Sequence, residues 1–214
     1  ARRLKDERVA SDLAKVGIKE PFEILAYFVM AEEAIKKLVG STEPNTDNHP
    51  YVEFAAPKYL YAPVKVNPWR IIYENLSPIK TILADGTLIN ADPKELMSAD
   101  SFRRSRLLTQ IYSIEKNIGE GIKEGEKALA IDPDNIFIKE TLAKFYFEEG
   151  TSFFNQSQYG KAISSLSRSL ALKKTPEAYF NLGQSYGWDG DLEKAKENYE
   201  KAVNQDIEFE IGWQ

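Results

Sequence analysis

His49 is the only histidine in the 214 residues and no cysteine accompanies it. A transition-metal site needs several imidazole or thiolate ligands in a fixed array, so no ligand set for one is present. Followed by Pro50 in a run of Pro, Asn and Asp, His49 reads as a turn residue. General acid–base chemistry would use paired carboxylates. The acid pairs here, Glu32 with Glu33 and Asp189 with Asp191, are accounted for by a polar helix face and a helix cap. Ser164, Ser165, Ser167 and Ser169 share one helical stretch with no histidine near in sequence, so a nucleophilic serine has no base. No GxGxxG-type loop occurs to cradle a phosphate or an adenosyl cofactor. Arg103, Arg104 and Arg106 form a cluster that is either a solvated face or an anion-binding lip. The expectation is a chain with no catalytic residue, no metal and no cofactor of its own.

Composition narrows the class further. With 43% hydrophobic and 29% charged residues, the chain has the balance of a soluble globular protein, long enough for one or two domains. No apolar run approaches the roughly 18 residues that suggest a bilayer span. A net charge of −5 disfavours nucleic acid as a partner, because phosphate binding needs a basic face. No secretory leader is apparent, and Ala1 in place of Met fits an excised fragment. Absence of cysteine leaves the redox compartment open. A cytoplasmic location is expected, with the parent protein open to membrane tethering.

The elements that would position any binding residues are legible from 175 to 206. Thr175-Pro176-Glu177 opens a helix with a hydroxyl cap, a proline where no backbone donor is needed, and an acid in the first turn. Tyr179, Leu182 and Tyr186 recur at helical spacing until Asp189-Gly190-Asp191 interrupts the run. Asp191 then caps a second helix with Ala195, Tyr199 and Ala202 on its inner face. Gly183 and Ala195, 12 positions apart, are small where the two helices approach most closely. Gly150 and Ala162 have the same separation, with Phe153 and Leu166 at the places of Tyr186 and Tyr199. Thr109 and Gly121 are again 12 apart, followed by Tyr112 and Ala128, and that unit runs out at Ala130-Ile131-Asp132-Pro133. Glu149 replaces the equivalent of Leu182, and Gly121 and Gly125 replace an alanine and an aromatic.

The offsets between units are 41 and 33 residues. Period and signature resemble the tetratricopeptide repeat, which runs about 34 residues. The resemblance implies a mainly α fold, an α–α superhelix of about three repeats over 102–134, 136–174 and 175–208. Trp213 falls 34 residues after Tyr179, which places the end of the chain inside the first helix of a further unit. In such arrays the first helix of each pair lines the concave side, and Tyr112, Phe153, Tyr179, Tyr186 and Tyr199 would be core. The groove candidates are then Arg103, Arg106 and Gln110, followed by Lys144, Phe147, Thr151 and Asn155, and by Phe180, Gln184 and Trp188. Phe147, Phe180 and Trp188 are large and apolar where solvent is expected. They mark either a binding face or a surface that the preceding domain or a further repeat covers. Family members that clamp a peptide's terminal carboxylate use Lys, Asn and Arg in this groove. Arg106 and Gln110 resemble that set loosely, whereas Glu177 and Asn181 occupy positions where basic residues would be wanted.

Upstream, residues 1–40 read as helical, in two stretches separated by Gly17 and Pro21, and residues 41–50 as a loop. Tyr51-Val52-Glu53-Phe54 has strand propensity. The runs DLAKVGI (12–18) and NTDNHPYVEFAAPK (45–58) resemble the end of spermidine-synthase-like polyamine aminopropyltransferases, in particular bacterial members with a tetratricopeptide tail. That resemblance covers residues 1–60 and implies a small α/β remnant, with the cofactor loop and catalytic acids upstream of Ala1. Residues 61–100 form a connecting segment: Pro68 starts a short helix with Trp69, Ile72 and Leu76, and 78–90 is either a helix or a hairpin turning at Asp85-Gly86. The functional expectation is a protein-interaction module that binds a peptide or partner helix. The alternative is a structural or dimerising appendage packed on its own transferase domain, which leaves a homodimer open.

Overall fold

Proline and asparagine set the first helix that can be followed. The computed structural model describes Ser11, residues 67–76 and residues 93–211. The chain divides into two compact units, Ala1–Leu107 and Leu108–Gln214. In the first, α1 (Pro68–Glu74) begins where the Asn67 side chain accepts a hydrogen bond from the Trp69 N–H at 3.1 Å. Pro68 sits where its missing donor costs nothing. The helix stops at Asn75, whose side-chain amide donates to the Ile71 carbonyl at 2.9 Å, and Leu76 beyond it is buried. The short helix expected from Pro68 is therefore present. Helix α2 (Pro93–Glu115) follows, burying Ala99, Phe102, Leu107 and Ile111. The expected helices over 1–40, the Tyr51–Phe54 strand, His49 and the 78–90 segment lie outside the described residues.

Five helices make up the rest of the second unit: α3 (Ile118–Ile131), α4 (Ile136–Asn155), α5 (Tyr159–Leu172), α6 (Pro176–Asp189) and α7 (Leu192–Ile211). Four of them start on a side chain that accepts the first free backbone N–H groups. Asn117 accepts from Glu120, Asn135 from Ile138, Thr175 from Ala178 and Asp191 from Lys194, at 3.1–3.4 Å. Gly190 ends α6 with φ of 96°, the left-handed conformation that a side chain would strain. Helix α3 packs on α4, α4 on α5, α5 on α6, and α6 on α7. The described residues are all-α, without a strand, and α3 to α7 pack one on the next in chain order.

The glycine pairs explain the spacing. A Cβ at Gly150 would stand 2.7 Å from Leu166 Cγ, and one at Gly183 would stand 2.9 Å from Tyr199 Cδ1 and 3.1 Å from the Ala195 carbonyl. In each hairpin the small residue on the first helix thus receives a large one 16 positions later. The first hairpin reverses the sizes: Thr109 stands on α2 and Gly125, 16 later, on α3. The hollow left by the glycines is filled from α4. Leu142 Cδ1 would be 3.0 Å from a Cβ at Gly125, and the Phe145 ring lies directly over Gly121. Helix α4 also carries seven more residues ahead of its glycine than α6 does, counting from Ile136 to Gly150 against Pro176 to Gly183. Two whole turns keep the same face inward, at about 3.6 residues per turn. With one extra loop residue they account for the 41-residue offset.

Glu149 is not a defect in the second unit. Ser165 Oγ donates to its carboxylate at 2.7 Å, and Ser169 Oγ donates to the Ala143 carbonyl at 2.7 Å, so two of the four serines tie α5 to α4. Ala162, Leu166, Leu170, Ala178 and Leu182 form the core between α4–α5 and α6, with Phe147, Phe153, Tyr179 and Tyr186 packed around it. Helix α7 is continuous through Ile211. The stretch QDIEFEI (205–211) offers neither Gly nor Pro to break it.

Candidate functional site

Arg103 is the candidate whose surroundings depart most from the sequence reading. It is fully buried on α2 and donates to Asp100 Oδ1, while Arg104 Nε donates to Asp100 Oδ2 at 2.9 Å. Burial pulls the Arg103 pKa down, and the Asp100 charge opposes that. Burial alone would raise the Asp100 pKa; the hydrogen bond from Arg104 and the charge of Arg103 outweigh it and hold the carboxyl below its usual range. Arg103 is thus neither a solvated face nor an exposed anion lip; its charge is spent inside the protein. Arg106 and Gln110 are half-buried.

On α4, Lys144, Phe147, Thr151 and Asn155 recur three or four positions apart and share one stripe. Lys144 and Asn155 are exposed, Phe147 and Thr151 half-buried. Two hollows adjoin this stripe. One, of about 390 Å³, is lined by Phe147, Glu148, Thr151, Ser152, Asn155 and Gln156. The other, of about 320 Å³, lies between Glu140, Lys144 and Phe147 of α4, Ser169 and Lys173 around α5, and Thr175 and Glu177 at the start of α6. Phe147 is a wall of both. Thr151 Oγ1 donates to the Phe147 carbonyl at 2.9 Å and accepts from Asn181 Nδ2 of α6 at 3.2 Å. That bond fixes the spacing of α4 and α6. Charges around the second hollow are balanced: Lys173 lies 2.8 Å from Glu140, and Lys144 lies 4.0 Å from Glu148.

Phe180, Gln184 and Trp188 of α6 repeat, 33 residues on, the spacing of Phe147, Thr151 and Asn155 on α4. Four-residue steps rotate each by roughly 40° from the last, so Trp188 stands about 80° from Phe180. Phe180 is 48% exposed and its ring leans on Tyr199 of α7, with centroids 5.5 Å apart. Trp188 is 68% exposed and stacks on Tyr159 of α5 at 6.0 Å and 18°, and Tyr159 in turn meets Phe154 of α4. Gln184 is half-buried between them in sequence.

One cluster escapes sequence reasoning. Tyr146 of α4 donates to Glu126 of α3 and accepts from Arg168 Nη1 of α5 at 3.2 Å, with the guanidinium 5.5 Å from the ring centre. Burial, and then the bond to Glu126, push the Tyr146 pKa up to about 12. The cluster rims an apolar cleft of about 560 Å³ formed by Leu129, Pro133, Leu142 and Leu172. Its members lie 20 and 22 positions apart, a spacing no periodic pattern marks.

Among the described residues, no group of three or more His, Cys, Asp or Glu is arranged to hold a metal ion, and no helix is long and apolar enough to cross a membrane. Residues 176–208, the α6–α7 hairpin, match the tetratricopeptide repeat family. No curated protein matches the chain. Repeats of this family serve protein–protein interaction and are not typically enzymes.

Proposed function

We propose that residues 108–214 are a protein-interaction module whose ligand, a peptide or partner helix, lies along the α4 and α6 faces that carry Lys144, Phe147, Thr151, Asn155 and Gln184. The observation that carries this reading is Phe147, an aromatic wall shared by two adjoining hollows of about 390 and 320 Å³. An apolar ligand side chain in either hollow would gain contact with the ring, and such anchors supply most of the affinity in recognition of this kind. Lys144 and Lys173 on one side and Glu177 on the other would orient charged ligand ends and speed encounter more than they tighten binding. On this reading the transferase resemblance of residues 1–60 describes the parent enzyme, and the array recruits a partner to it.

A displayed peptide library selected on the chain tests the proposal. Asn155→Trp fills the larger hollow from an exposed position, so it should weaken the selected peptides roughly tenfold or more without moving the melting temperature. Selected peptides that bind Asn155→Trp and Lys144→Glu as tightly as the parent would remove these faces as the binding site.

A further inference from the structure

The apolar cleft of about 560 Å³ between α3, α4 and α5 stands at a junction that lacks a tie present at the next one. Gln205 of α7 donates to the Lys174 carbonyl, just beyond α5, at 3.1 Å and bridges the later junction. One unit earlier the same two places, 33 and 41 positions back, hold Leu172 and Pro133. Neither side chain can hydrogen-bond, and both line the cleft together with Leu129, Ala130, Leu142 and Ala171. The three helices around it follow one another in the chain and pack in that order, so a further repeat has no place in this cleft.

Arg168 stands on the rim as a held guanidinium. Its Nη1 donates to the Tyr146 hydroxyl at 3.2 Å, and the group lies 5.5 Å from the centre of that buried ring. Nε and Nη2 take no partner among the described residues. Those two donors form an edge that can grip both oxygens of a carboxylate. The protein's own acids nearby are engaged elsewhere. Glu126 accepts from Tyr146 and approaches Arg168 only at Nη1, at 3.7 Å. Glu149, whose charge Arg168 also feels, accepts from Ser165. From Gly150 to Pro176 the chain carries Lys161, Arg168, Lys173 and Lys174 and no acid.

We propose that this cleft binds a small carboxylate with an apolar body, an acyl or aryl acid. Its tail lies against Leu129, Pro133, Leu142 and Leu172, and its head takes the Nε and Nη2 edge of Arg168. The cleft has the size of small-molecule sites, about 300–1,000 Å³, and their make-up of apolar walls with a few fixed polar groups. It shares no residue with the two hollows beside Phe147, so the proposal stands or falls independently of them.

Octanoate and octanol, alike in tail and different in head, are the probes. Each is titrated into the full chain to displace anilinonaphthalene sulfonate, followed by the dye's fluorescence. Both should displace it. Arg168→Gln should weaken octanoate roughly tenfold and leave octanol unchanged, which also shows that the cleft is still formed. Arg168→Lys keeps the charge without the two-donor edge and should recover only part of the loss. Glu126→Gln, which removes the nearest competing acid, should tighten octanoate alone. Ala171→Trp fills the cleft from an exposed position on α5 and should abolish displacement by both probes with the melting temperature unmoved. Ala130→Trp, exposed on α3, should do the same. Asn155→Trp should change neither. Displacement by neither probe, or displacement indifferent to both cleft tryptophans, overturns the proposal. So does an octanoate affinity that Arg168→Gln leaves unmoved, or lowers no more than it lowers that of octanol, because Arg168 would then be wall and not the carboxylate's partner.

Discussion

Glycines at equivalent-looking places have opposite consequences, and the space around each decides the sign. Gly183 faces Tyr199 and the Ala195 backbone, so Gly183→Leu should cost roughly 1–3 kcal/mol or more by overpacking, read as a lower midpoint in urea unfolding. A Cβ at Gly160 or Gly119 meets nothing within 4 Å. Gly160→Ala and Gly119→Ala should each stabilise by about 0.4–1 kcal/mol, since only unfolded-state freedom is lost. A melt in which Gly183→Leu is as stable as the parent would show that the hairpin register is wrong. Tyr146 gives a second residue-scale expectation, in pH. Its folded pKa of about 12 lies above its ordinary value of 10.0. The unfolded chain therefore releases the phenolic proton first as pH rises, and the stability it contributes is whole below pH 10 and lost between the two values. The stability difference between the parent and Tyr146→Phe should be flat from about pH 7 to 9 and shrink above about pH 10. A difference that stays flat throughout would mean the phenol is not held by burial and Glu126.

At the scale of elements, the caps were legible because their cause is local. Thr175-Pro176-Glu177 and Asp191 announce helix starts within four residues of sequence, and both start helices there. Asn135 is a stronger case: it is 5% exposed, accepts from Ile138 N–H, and donates to Asp132 Oδ2 at 2.9 Å. Asn135→Ala should cost about 0.5–2 kcal/mol, at the upper end because both bonds are lost in a buried place. Asn135→Asp keeps the cap but faces Asp132, so it should recover part of the loss, and more of it at high salt. Equal stability of all three in a urea titration would deny the cap. What sequence could not show is non-local. Gly121 and Gly125 look like a degraded repeat until Phe145 and Leu142 are seen entering from the next hairpin. No spacing in the sequence pairs Phe180 with Tyr199 or Trp188 with Tyr159, which stand on other helices. Arg103 read as exposed because arginine usually is, and its burial comes from packing that no local pattern marks.

The second unit as a whole is built of neighbours, each hairpin touching the one before and the one after it in the chain. In such an array stability is close to a sum of hairpin and junction terms, and a junction can fail while distant hairpins persist. The α5–α6 junction is centred on Leu166 and Leu170 on one side and Ala178 and Leu182 on the other, with Phe147, Phe153, Tyr179 and Tyr186 around them. Leu182 is 5% exposed, so Leu182→Ala should cost about 2–5 kcal/mol by the cavity it leaves. How that loss is distributed is the informative part. If stability is one-dimensional, amides of α6 and α7 should exchange with solvent roughly tenfold faster or more, through local opening, while those in the middle of α3 keep their protection. Gly121 and Phe145 hold α3 to α4 by contacts that do not involve α6, which is why α3 should be spared. Equal acceleration in α3 and α7 would instead show that the hairpins open as one cooperative body, and a ligand held along α4 would then feel every change at the α6–α7 face.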